Sequence, residues 1–192
     1  SFPDMPLVES TPVECLSPYA QSKASNEEDV VAFRKKGLNA IALRFFNIYG
    51  PGQRSDSSYA SLIPIFVHAM KNRKHPTVHG SGEQTRDFVH VHDLAKAIYM
   101  MVARRKLYEY PVANVASETQ TSVLEVVRCI NQGLKERTNM KAIVPLHGDV
   151  RQGDVMHSCG SAERIRSMIN WKAEISFEKG IGSLLDSKEE RR

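Results

Sequence analysis

Two side chains four residues apart, Tyr19 and Lys23 in the stretch Ser17-Pro-Tyr-Ala-Gln-Ser-Lys23, form the pair best suited to chemistry. Ser17 is a natural N-cap whose hydroxyl accepts a backbone N–H, and Pro18 suits the first helical position, where its missing N–H costs nothing. The spacing then predicts that Tyr19 and Lys23 project from one face of the first turns. An ammonium beside a phenol stabilises the phenolate and lowers the tyrosine pKa from about 10 towards working pH. Such a pair can take the proton of a sugar hydroxyl. Tyrosine and lysine at this spacing also occur on ordinary helices as a surface contact. Elsewhere, His90 and His92 alternate along one strand face with Asp93 beside them, a set that can hold a metal.

The elements that position these residues follow from periodicity and punctuation. Residues 1–16 hold three prolines and no period, and read as a loop feeding the first helix. That helix is expected from Ser17 to Lys36, closed by Gly37 after a basic last turn. The apolar run Asn39–Phe46 reads as a buried strand of a parallel sheet, ending in the turn Asn47-Ile-Tyr-Gly-Pro-Gly52. Open α/β sheets bind ligands at such strand ends. A helix is expected over Tyr59–Lys71, with Pro64 near its start or at a kink, then strands His75–Gly80 and Arg86–Val91 around the turn at Gly80 to Glu83.

Downstream, Leu94, Ala97, Ile98, Met101 and Val102 form one stripe of an amphipathic helix over Asp93–Arg104. Pro111–Ala116 reads as a strand. Thr121 or Ser122 caps a longer helix with Leu124, Val127, Ile130 and Leu134 facing a core, Ala142–Val144 as a strand after it, and closing helices over Ser161–Asn170 and Phe177–Leu185. Strands alternating with helices and no internal repeat point to an α/β fold.

With 192 residues, 41% of them apolar, the chain can bury a sizeable core as one unit or as part of a larger one. The formal net charge of +4 is spread beside 22 acids. It reads as a solvated surface with a mild bias towards an anionic ligand, not as a nucleic-acid patch. Three isolated cysteines, Cys15, Cys129 and Cys159, speak for a reducing compartment and against a disulfide or zinc framework. No signal peptide or membrane-length apolar run is present, so a cytoplasmic protein without a membrane partner is expected. No Gly-x-x-Gly-x-x-Gly or Gly-x-Gly-x-x-Gly occurs, since Gly50-Pro-Gly52, Gly80-Ser-Gly82 and Gly180-Ile-Gly182 each lack a third glycine at the right offset.

The stretch Ser17–Lys23, followed by Leu-Arg-Phe-Phe-Asn-Ile-Tyr-Gly-Pro-Gly-Gln over Leu43–Gln53, resembles the extended short-chain dehydrogenase/reductase family, and within it the nucleotide-sugar 4-epimerases. Further motifs follow in the family's order from Pro12 to about Trp171. The resemblance implies the C-terminal part of an NAD(P)-binding Rossmann-like fold plus the small α/β substrate-binding domain, the glycine-rich half lying before this chain. Residues 1–50 would then be a remnant of the dinucleotide-binding domain and 51–192 mainly the substrate region, with 86–116 returning to the Rossmann sheet.

In function, the resemblance implies NAD as cofactor, a UDP-sugar as substrate, and a homodimer when full length. Tyr19 would be the base, Lys23 the partner that binds the nicotinamide ribose, and Phe45 and Phe46 neighbours of the nicotinamide. Asn47 would reach the diphosphate, although its amide can also simply fix the turn. Ser61 and Leu62 correspond to the segment packed on the nucleotide, and Val78 and His79 to the strand against the uracil; both segments also make sense as core. Arg86 matches the arginine that grips the diphosphate, a salt bridge to Asp87 or Glu83 being the alternative.

Arg151-Gln-Gly-Asp154 matches a phosphate-binding arginine and an aspartate for the uridine ribose. Ser158 stands where a small residue leaves space for a 2-acetamido group, although Cys159-Gly-Ser-Ala162 departs from the family's following residues. The His90–Asp93 run is structural in that family, with no metal, and leads into a helix with Asp93 near its cap. The resemblance implies inversion at C4 of a UDP-hexose. A 4,6-dehydratase or decarboxylase of the same scaffold, and a non-catalytic sugar-nucleotide-binding domain, are the alternatives.

Overall fold

The structure, a computed structural model, describes residues 5–15, 17–56, 60–104, 106–151, 153 and 155–187. In chain order these form α1 (Pro18–Lys35), β1 (Ala42–Phe45), β2 (Asn47–Tyr49), α2 (Leu62–Lys71), β3 (Thr77–His79), β4 (Thr85–Arg86) and β5 (Phe88–His90). There follow α3 (Val91–Ala103), β6 (Val112–Val115), β7 (Thr121–Ser122), α4 (Val123–Thr138), β8 (Leu146–Gly148), α5 (Glu163–Ile169) and α6 (Phe177–Asp186). The pairs β1–β6, β2–β5 and β3–β8 are parallel, and β4–β7 is antiparallel.

The local chemistry accounts for the boundaries. Ser17 Oγ accepts from the Ala20 N–H at 3.1 Å, Pro18 follows as the first helical residue, and Gly37 leaves the helix at φ 91°. The run expected as one strand over Asn39–Phe46 pairs only over Ala42–Phe45. At Phe46 the chain crosses to a second ladder, so Asn47–Tyr49, expected as a turn, is strand β2 against β5.

Helix α2 starts at Leu62 rather than Tyr59, and Tyr59 lies outside the described residues. Pro64 sits in the first turn, where the N–H it lacks would have had no intrahelical acceptor. The strand expected at Ala142–Val144 is absent. Asn131 captures that segment, its amide N–H donating to the Ile143 carbonyl at 2.9 Å and its oxygen accepting from the Ile143 N–H at 2.8 Å. Pro145 brings no N–H, and β8 begins after it.

Two apolar clusters carry the packing. One gathers Tyr49, Phe66, Met70, Val78, Val126, Ile130 and Ile181 between α2, α4 and α6. The other gathers Val89, Ala97, Met101, Val115, Ile165 and Trp171 around α3, β6 and α5. Strands β2 and β5 run between them, with Tyr49 in the first cluster and Val89 in the second.

Candidate active site

Helix α1 runs antiparallel to β1. Near its end Arg34 donates to the carbonyls of Ala40 and Tyr108, both at 2.7 Å, and midway Glu27 pairs bidentately with Arg44 at 2.9 and 2.8 Å. From the Glu27–Arg44 pair, helical rise back along α1 and strand rise along β1 run the same way, which puts Lys23 and Tyr19 towards the C-terminal end of β1. The Lys23 ammonium lies 5.3 Å from the centre of the Tyr19 ring, which is 72% exposed. Phe45 is exposed, while the Phe46 ring covers Gly160 so closely that a Cβ there would overlap it.

A second set assembles around β3, β4 and β8. The Asn47 N–H donates to the Asp87 carbonyl at 2.8 Å, which seats exposed Asn47 next to the Asp87–Phe88 peptide, opposite Phe88 in the β2–β5 ladder. Arg86, on β4, donates from Nη1 to the Thr85 carbonyl at 2.8 Å. Ser158 lies across the same strand, its N–H donating to that carbonyl at 3.2 Å. Gln84 Nε2 donates to the His79 carbonyl at 2.9 Å, and Arg151 Nη2 lies 3.1 Å from His79 Nε2. The backbone run Gln84–Asp87, which includes Arg86, thereby touches Asn47, Ser158 and His79, and His79 in turn meets Arg151. Asp154 lies outside the described residues.

Ser61, Leu62 and Val78 stand apart from this set. Ser61 caps α2 without a side-chain bond, and its buried Oγ has no hydrogen-bond partner among the described residues. Leu62 packs on the α2–α4–α6 cluster, and Val78 is wholly buried in it. The bonds from Leu146 N–H to the Pro76 carbonyl and from Gly80 N–H to the Gly148 carbonyl bracket the β3–β8 register. In a parallel ladder this phase turns both backbone groups of Val78 towards β8. The backbone edge on the opposite side of β3 therefore belongs to Thr77 and His79. Alternation along the strand was the signal for this; the motif alone did not register it.

Asp87 is another residue that spacing did not single out. It has no exposure, and its carboxylate accepts from Ser117 N–H and Oγ–H, both at 2.7 Å, and from Glu118 and Gly160 N–H, both at 3.1 Å. Its carboxylate is thus committed to these donors. Burial pushes the Asp87 carboxyl up from its ordinary pKa, against the pull of those donors. Burial first, and then the charges of Asp87 and Glu118, push the neighbouring Cys159 thiol up to about 11, which leaves it un-ionised and poorly nucleophilic at neutral pH.

His90 is the N-cap of α3, its Nδ1 accepting from the His92 N–H at 3.2 Å, so the cap precedes Asp93. Asp93 Oδ2 instead accepts from the N–H groups of Glu174 and Ile175 at 3.2 and 3.0 Å. His90 Nε2 lies 3.1 Å from Ser183 Oγ, whose own proton goes to the Gly180 carbonyl. The His90 proton therefore sits on Nε2, and neither nitrogen has a free lone pair for a metal.

The pattern that defines the GDP-mannose 4,6 dehydratase family matches residues 1–184. The chain belongs to this family, which lies within the extended short-chain dehydrogenases/reductases. Over 178 residues it is 32% identical to a putative UDP-glucose 4-epimerase of Methanocaldococcus jannaschii, a match covering 92% of this chain and 55% of that protein. It superposes on a UDP-N-acetylglucosamine 4-epimerase from Methanobrevibacter ruminantium, solved with UDP-N-acetylmuramic acid, with a TM-score of 0.83 and 33% identity. That match covers 96% of this chain and 57% of the other.

MoeE5, in complex with UDP-glucuronic acid and NAD, superposes with a TM-score of 0.79 and 29% identity over 92% of this chain and 57% of its own. The chain thus spans a little over half the length of these relatives, and the fold is Rossmann-like. Other proteins that it matches include a dTDP-glucose 4,6-dehydratase of Escherichia coli and a UDP-N-acetyl-alpha-D-glucosaminuronate decarboxylase of Bacillus cytotoxicus. No helix among the described residues is long and apolar enough to cross a membrane.

Proposed function

We propose that this chain is the sugar-nucleotide-binding part of an NAD-dependent 4-epimerase that acts on a UDP-hexose or UDP-N-acetylhexosamine. The observation that carries the reading is the continuous set from Asn47 through Arg86 and Ser158 to His79 and Arg151, with Tyr19 and Lys23 exposed at the adjoining end of β1. Two guanidiniums and an amide suit a diphosphate, which accepts hydrogen bonds and carries negative charge. The reading assigns Arg86, Arg151 and Asn47 to it. Asp154 takes the ribose hydroxyls, and Thr77 and His79 offer the backbone edge to the uracil while Val78 anchors the strand. Ser61 and Leu62 close the nucleotide side, and Ser158 leaves room at C2 of the hexose.

In this reading the Tyr19 phenolate removes the C4 hydroxyl proton, and the Lys23 charge stabilises that phenolate. Lys23 and Tyr19 also fit a nicotinamide ribose, since an ammonium and a phenol are the donors that a vicinal diol takes, with Phe45 and Phe46 alongside. NAD, when bound there, supplies the hydride acceptor for C4. In the longer dimeric enzyme α1 would also serve as a subunit contact, which fits its lack of any buried residue. The three free thiols fit a cytoplasmic setting.

The test is proton NMR of the anomeric region after mixing the chain with NAD and UDP-N-acetylglucosamine, with UDP-glucose in a parallel tube. Galacto-configured signals, or broadened uridine signals without turnover, are the expected results for an active enzyme and for its binding part respectively. Signals of a 4-keto-6-deoxy sugar would move the assignment to the dehydratases. Unchanged uridine signals would overturn the reading. In any preparation that turns over, Tyr19→Phe is expected to cut conversion at least about 100-fold while leaving the uridine signals broadened.

A further inference from the structure

Arg151 occupies the exposed segment after β8, where a long side chain samples many rotamers unless something holds it. What holds it is His79. A guanidinium can only donate, so His79 Nε2, 3.1 Å from Arg151 Nη2, has to accept. That leaves the imidazole proton on Nδ1, and Nδ1 lies 3.0 Å from the Asp149 carbonyl, which can only accept. The two contacts demand the same tautomer.

The ring is itself fixed. It lies over Gly148, where an added Cβ would come within 3.4 Å of Nδ1, and the His79 carbonyl is held by Gln84 at 2.9 Å. Its neighbour Val78 is locked in the core. The imidazole thus presents one fixed acceptor to one N–H of the guanidinium and leaves the other donors of that fork available.

We infer that His79 is a positioning residue for Arg151: it orders the guanidinium over the end of β3 before an anion arrives, so that binding the diphosphate does not have to meet the cost of ordering it. The inference rests on the reading of Arg151 as a diphosphate ligand. It concerns the phosphates alone, so it separates UDP from uridine.

The experiment titrates UDP and, separately, uridine into the 192-residue chain by NMR up to millimolar concentration. His79→Phe keeps a ring of similar size but no acceptor. It is expected to weaken UDP about five- to tenfold more than it weakens uridine, the worth of one preorganised charge-assisted bond. His79→Gln, whose amide oxygen can accept from the guanidinium, is expected to restore UDP binding to within about twofold. Equal losses for UDP and uridine in His79→Phe would mark a structural role and overturn the inference, as would no loss at all. Arg151→Gln separates the two levels. If it weakens UDP while His79→Phe does not, only the positioning role fails; if Arg151→Gln leaves UDP untouched, or the wild-type chain binds no UDP, the diphosphate reading fails and the inference falls with it.

Discussion

Asp87 shows how one buried carboxylate supports a site without belonging to its chemistry. It lies between Arg86 and β5, and its four donors come from the loop after β6 and from Gly160, the residue under the Phe46 ring. The backbone between Arg86 and Asn47 is therefore braced from two sides by a single side chain. Asparagine has the same shape but only one acceptor oxygen, so its amide N–H groups would face the Glu118 and Gly160 donors. Asp87→Asn is expected to cost about 2–4 kcal/mol, from two lost bonds to a charged group and two donors left unpaired. Urea denaturation checks this, and a change below about 1 kcal/mol would mean that the loops hold their geometry without the carboxylate.

At the level of elements, α6 docks through the absence of a side chain. A Cβ on Gly180 would overlap the Tyr49 hydroxyl and ring, and Tyr49 meets Phe88, His90 and Phe177 at centroid distances of 6.0, 5.3 and 5.4 Å. Gly180→Ala must push α6 off β2, at an expected cost of about 1–3 kcal/mol in thermal or urea unfolding. The same docking controls a titration. Burial first, then the His92 charge, holds the His90 pKa below its ordinary value, while Asp93 opposes them. The unfolded chain then binds this proton more readily than the folded one. The contribution of His90 is complete above about pH 6.5 and is lost as pH falls through its depressed folded value. A stability profile from pH 7 to 5 should therefore slope downward with acid, and His90→Gln should flatten it.

The helices α3 and α4 were legible from their apolar periodicity, and the Tyr19–Lys23 pair because capping chemistry is local. Ile98, Val102 and Leu124, expected on the core-facing stripes, are nevertheless exposed, because periodicity gives a stripe without saying how much of it the neighbouring elements cover. The crossing at Phe46 and the capture of Ile143 by Asn131 depend on partners 12 or more residues away, which no local pattern displays. The contact of Arg151 with His79, 72 residues apart, was hidden for the same reason.

Across the whole molecule, burial is distributed unevenly in a way that bears on catalysis. Helix α4 buries Val123, Val126, Val127, Cys129, Ile130, Gly133 and Leu134, whereas α1, two residues longer, buries none. Polar clamps hold α1 down, Arg34 to Ala40 and Tyr108 and Glu27 to Arg44, and such part-exposed bonds each contribute on the order of 1 kcal/mol. Local opening free energy follows buried apolar contact, so α1 should open far below the global unfolding free energy while α4 opens close to it. Hydrogen–deuterium exchange of this chain is accordingly expected to exhaust the amides of Pro18–Lys35 at times when those of Val123–Thr138 are still largely protected, and Arg44→Ala should speed the former without touching the latter. Equal protection of the two helices would show that the clamps suffice. The expected asymmetry instead places Tyr19 and Lys23 on the one helix among the described residues that buries no side chain. In the role proposed for Tyr19, a base within hydrogen-bond reach of a sugar hydroxyl, α1 needs to be fixed by contacts beyond these clamps, and its exposed apolar residues Val31 and Phe33 are available to make them.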